Sequence, residues 1–95
     1  MDNNPKTEFN KTLEVLRSEI FETDKEIIEL LAKRFNFVRK VGQIKKENNI
    51  PPLDQTQWNK VLKTRKSVAR ELNLNENLIE NVLELIHKES LRLEK

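Results

Sequence analysis

The residues Phe9 to Lys46, FNKTLEVLRSEIFETDKEIIELLAKRFNFVRKVGQIKK, contain no proline and a single glycine, Gly42. Along them Phe9, Leu13, Leu16, Ile20, Ile27, Leu31, Phe35, Val38 and Val41 recur at helical spacing. At about 100° per residue they all stay within about 60° of Ile20, so they form one apolar stripe. The pattern predicts an unbroken helix from about Lys6 to Asn49, roughly 65 Å long at a rise of 1.5 Å per residue. The alternative is a hidden break that folds it into a hairpin. Gly42 is the one residue able to provide such a break, and it lies too near the end to do so.

Moving outward, Pro51-Pro52 stops the helix, since proline cannot continue one and disfavours helix in the residue before it. Asp54 then has the character of an N-cap, with Gln57 three residues on as in a capping box. A second helix is predicted from about Gln55 to Leu72, with Trp58, Val61, Leu62, Val68, Ala69 and Leu72 on one side. Asn73-Leu74-Asn75 reads as a turn ending in a cap, Asn75. A third helix from about Glu76 to near the end turns Ile79, Val82, Leu83, Ile86 and Leu93 inward. There is no repeat and no strand candidate, so the expectation is an all-α chain of three helices forming a single domain over residues 1–95.

A compact monomer of 95 residues would be about 30 Å across. The first helix is about twice that length, and two shorter helices cannot cover its stripe. The stripe must find a second copy, which predicts an intertwined homodimer. Other ways of stabilising so small a chain are closed. It has no cysteine and one histidine, His87, which excludes disulfides and leaves no zinc site. Lys+Arg 18 against Asp+Glu 16 leaves a net charge of +2 with the signs interspersed, unlike the basic stripe of a nucleic-acid binder. No apolar run reaches membrane-spanning length. The opening MDNNPKTEFN lacks a signal-peptide pattern. The expected location is cytoplasmic.

Some of the charges fall where the apolar stripe runs. Relative to Ile20, Arg34 lies near −40°, Lys45 near −20° and Arg17 near +60°, each estimated at roughly 100° per residue. Arg17 stands about 25 Å from Arg34 along the axis and further from Lys45, so it cannot share a pocket with Lys45 on its own helix. In an antiparallel dimer it could reach the other copy's pocket. Cations in an apolar seam are costly unless paired. Either their stems snorkel, with internal partners such as Asp24, or an anion completes the site, and arginine suits planar carboxylates. Gly42, one turn before Lys45, would admit a ligand or a packed backbone. On the third helix Ser90 and Glu94 fall on the inward face and His87 at its edge. A small core serine, a solvated helix end and a packing histidine are the plain readings of these three.

The ordered set Leu16-Arg17-Ser18-Glu19-Ile20, Asp24-x-x-Ile27-x-x-Leu30-Leu31-x-x-Arg34, Val41-Gly42-x-x-Lys45, Pro51-x-x-Asp54, Val61-Leu62 and Ile86-His87-x-x-Ser90 resembles the all-helical chorismate mutases. The resemblance covers nearly the whole chain. It implies two intertwined three-helix chains with two sites, each borrowing an arginine from the other chain. It implies a dianionic substrate, chorismate, and no cofactor or metal. By the same resemblance Arg17 is the borrowed arginine and Arg34 the resident one. Lys45 contacts a carboxylate and the ether oxygen of the breaking bond. Asp54 lies near the ring hydroxyl, Ser90 on a carboxylate side, and Glu94 where a donor to the ether oxygen is expected.

One departure stands out. Gln57-Trp58 occupies the place of an Arg-Glu pair whose glutamate binds the ring hydroxyl, so Gln57 and Trp58 become the substrate-side candidates there. Two other functions remain compatible with the residues. One is an isochorismate pyruvate-lyase with the same cationic pocket. The other is a non-catalytic helical dimer that senses ligand or docks on an aromatic-pathway enzyme.

Overall fold

The protein is described from a computed structural model over residues 5–95. Its elements are three α-helices: α1 Pro5–Glu47, α2 Gln55–Glu71 and α3 Glu76–Glu94. Gly42 lies inside α1 and does not break it, so the hairpin alternative is excluded.

Predicted and observed helix ends differ by a residue or two, and the cause is local. α1 ends before the proline pair because Asn49 turns left-handed, with φ 57°. The Ile50 N–H then donates to the Lys45 carbonyl at 2.8 Å and the Asn49 N–H to the Lys46 carbonyl at 3.4 Å. This is a Schellman closure with asparagine in the place usually taken by glycine. α2 ends the same way. Asn73 has φ 57°, and the Leu74 N–H donates to the Ala69 carbonyl at 2.8 Å. Both predicted N-caps are present. Asp54 Oδ1 accepts from the Gln57 N–H at 3.1 Å, and Asn75 Oδ1 accepts from the Leu78 N–H at 3.1 Å.

By internal contacts the chain divides into two units, Met1–Arg34 and Phe35–Lys95. The described part of the first is a single helical segment, and one helix has nothing of its own to bury a stripe against. Phe9 is 64% exposed and Ile20 59%, with Leu16 and Ile27 also open.

The second unit holds the end of α1 with α2 and α3. Trp58, Val61, Leu62, Ile79, Leu83, Ile86 and Leu93 are half-buried there. Among the described residues Ala69 is the one apolar side chain fully buried, at 2% exposure. Val68, Leu72 and Val82, expected to face inward, are exposed. Val68 and Leu72 line an apolar cavity with Ala69, Leu74 and Ile79 that two short helices leave open to solvent. Arg70 makes a two-pronged bond to Glu76 across the α2–α3 turn, at 2.9 and 3.3 Å. That bond holds the Glu76 carboxyl below its ordinary range. No helix among the described residues is long and apolar enough to cross a membrane.

Candidate active site

The second unit brings Lys45 and Glu94 together, although they are far apart in sequence. Lys45 Nζ lies 2.7 Å from Glu94 Oε1 and donates to the Pro52 carbonyl at 2.6 Å. Each partner has a structural reason for its place. Lys45 sits in the last turn of α1, and its own carbonyl takes part in the closure that ends the helix. The chain then doubles back, and Pro52 presents a carbonyl to the ammonium seven residues after Lys45. Glu94 is the last residue of α3 and is 7% exposed. The plain reading of Glu94 as a solvated helix end is therefore overturned. A carboxylate this buried is costly unless it is paired, and Lys45 is the pair.

Gly42 explains how the end of α3 comes so close. A Cβ placed on it would stand 2.8 Å from Glu94 Cα and 3.3 Å from Glu94 Cβ and Cγ. Of the two roles open to Gly42, backbone packing is the one observed. The next turn back along α3 carries Ser90, which is buried at 6% exposure and donates from Oγ to the Ile86 carbonyl at 2.8 Å. Ser90 and Glu94 are four residues apart and share a face of α3.

Asp54 is exposed and spends one carboxylate oxygen on capping α2. Gln57 is exposed one turn further on. Trp58 is half-buried, and its ring stacks on His87 with centroids 3.7 Å apart and planes 7° from parallel. Sequence reasoning placed His87 only as a packing residue and did not join it to Trp58. The acceptor role of Pro52 was also missed, because a backbone carbonyl leaves no mark in residue identity.

Arg17 and Arg34 belong to the first unit. Arg17 is exposed and reaches Glu14 Oε1 on its own helix at 3.4 Å. Such an exposed pair contributes little and leaves the guanidinium available to a stronger acceptor. Arg34 is half-buried on α1.

What this arrangement can do chemically follows from the charges. A fixed ammonium and a buried carboxyl, with a serine one turn away, suit a ligand that carries oxygen acceptors and develops charge as it reacts. They do not form a nucleophile–base pair.

Residues 16–95 match the family model for chorismate mutase type II. The T-protein of Haemophilus influenzae is 35% identical over 82 residues, covering 86% of this chain and 22% of that protein. The bifunctional chorismate mutase/prephenate dehydratase of Buchnera aphidicola subsp. Acyrthosiphon pisum is 36% identical over 86 residues, covering 90% of this chain and 22% of that protein. The chain thus spans little more than a fifth of the length of these curated relatives. With most of its length matched to one family model, and with three α-helices and no strand among its described residues, this chain belongs to the chorismate mutase type II family.

Proposed function

We propose that this chain rearranges chorismate to prephenate, and that it does so as a homodimer whose two sites are each completed by Arg17 of the other copy. The observation that carries the reading is the Lys45–Glu94 pair in a chain of this family. The reaction is unimolecular and asks for no nucleophile and no redox step. It needs the enolpyruvyl side chain held over the ring. It also needs negative charge on the ether oxygen to be met as the bond breaks.

The residues divide between these tasks. Arg34 and the borrowed Arg17 take the two carboxylates, with Ser90 beside one of them. Lys45 faces the ether oxygen and one carboxylate. Glu94 contributes there by donating when it carries a proton; ionised, it would repel the growing charge. Asp54, Gln57 and Trp58 border the ring-hydroxyl side. The dimer is supported by the open stripe of α1, because Phe9, Leu16, Ile20 and Ile27 are too apolar to remain in water along one face.

The test is direct. Purified chain is mixed with chorismate, and prephenate is measured against the uncatalysed rate. Arg34→Ala should lower kcat/KM by about a hundredfold or more, since a charge-assisted carboxylate contact is roughly twice as strong as a neutral one. No rate above background would overturn the proposal. A second arm with isochorismate reads pyruvate release; it is included because Trp58 takes the sequence position at which the resemblance puts an acid for the ring hydroxyl.

A further inference from the structure

We infer that Gly42 is a positioning residue of this site, whose missing side chain seats the end of α3 on α1 and thereby aims Glu94 at Lys45. Its effect on turnover rests on the chorismate mutase reading above, but its geometry does not. Gly42 lies one turn before Lys45, so the two share a face of α1. The atoms opposite Gly42 belong to Glu94 itself. A Cβ there would come to 2.8 Å from Glu94 Cα, closer than real Cβ contacts come. Because that atom is backbone, it cannot rotate aside as a side-chain tip could. To admit a methyl group, the last turn of α3 has to shift as a unit, and it takes the Glu94 carboxylate with it.

The other side of the pair is tethered. Lys45 donates to the Pro52 carbonyl at 2.6 Å, and its backbone carbonyl is tied into the closure of α1 by Ile50. The 2.7 Å between Nζ and Oε1 therefore depends on where α3 rests. A glycine inside a helix is less stable than an alanine, so α1 considered alone would favour alanine at this position. The close seat is what glycine gains in return. A purely structural glycine contact could face any neutral neighbour. This one faces the residue that neutralises the lysine.

The experiment uses the full chain carrying Gly42→Ala, Glu94→Ala or both. Three quantities are read: the split between kcat and KM, the side-chain 15N resonance of Lys45, and helicity by circular dichroism. Gly42→Ala should stay helical and lower kcat by about ten- to a hundredfold, the scale at which small misplacements of a reacting group are felt. KM should change less than kcat, because Arg34 and the borrowed Arg17 hold the carboxylates independently of Glu94. The Lys45 resonance should move as it does in Glu94→Ala, and the double variant should be no slower than Glu94→Ala alone. A Lys45 resonance unmoved by Gly42→Ala overturns the inference. So does a double variant whose loss is the product of the two single losses. A Gly42→Ala chain that does not fold assigns the glycine to the fold and overturns it as well. A wild-type chain with no chorismate turnover would sink the functional reading instead, and the resonance alone would then decide the role of Gly42.

Discussion

Removing Lys45 does more than remove a charge from the proposed reaction. It leaves Glu94 buried without its partner, and stranding one member of a buried pair costs about 3 kcal/mol. Lys45→Ala should therefore lose both activity and thermal stability, whereas Lys45→Ala/Glu94→Ala should regain much of the stability and none of the activity. Melting curves beside rate measurements check this, and equal stability losses in the single and double variants would refute it. Glu94→Gln keeps a donor and discards the charge. Glu94→Gln should therefore hold or raise the rate at neutral pH, whereas Glu94→Ala, which offers no donor, should lower it. Equal rates in Glu94→Gln and Glu94→Ala would remove Glu94 from the ether oxygen and leave Arg17, Arg34 and Lys45 as proposed. Trp58 is the single tryptophan of the chain and lies flat on His87. Its emission should respond to ligand and should change in His87→Ala, which removes the stacked ring. A signal indifferent to both would contradict the stack. At this scale the sequence was legible in part. Lys45 stood out because a cation on an apolar stripe is anomalous. The Pro52 carbonyl and the Trp58–His87 stack were hidden, because both depend on how segments distant in sequence are brought together.

At the scale of the helix, the ends are set by short polar side chains. Asp54→Ala and Asn75→Ala should each cost about 1 kcal/mol, the usual value of a helix N-cap. Asn49→Gly should be neutral or slightly stabilising, since glycine takes a left-handed conformation freely. Asn49→Val should cost about 1–2 kcal/mol, because a β-branched residue is strained there. Thermal melts of the four variants would check these values, and an Asn49→Val chain as stable as wild type would argue against the left-handed turn. The Arg70–Glu76 bridge adds a small pH dependence. Its guanidinium holds the Glu76 carboxyl below the ordinary range, so its contribution is present at neutral pH and is lost as pH falls through that lowered range. Existence, type and order of all three helices could be read from periodicity and the N-caps. The end of α1 was misplaced because prolines are conspicuous and an asparagine at C′ is not, although the asparagine acts first.

For the molecule as a whole, the exposed apolar residues carry the argument for a dimer. Sedimentation at micromolar concentration should give twice the chain mass of 11.3 kDa. A charge set into the stripe, as in Ile20→Glu, should shift the population toward monomer and lower activity with it. Mixing Arg17→Ala chains with Lys45→Ala chains should restore part of the wild-type rate, because a heterodimer would hold one intact site. Confirmed heterodimers without recovery would argue against a borrowed arginine. In the sequence, the expectation of a partner rested on helix length and the lack of cysteine. What the sequence could not convey is how little interior one chain keeps for itself. Among the described residues, a single alanine is the whole of its fully buried apolar core. In a dimer built on that basis, folding and association are one reaction, and mass action governs both. Each tenfold dilution should then remove about 1.4 kcal/mol from the apparent stability. The midpoint of unfolding should slide downward with concentration, so that no single melting temperature describes this protein without the amount of protein in the tube.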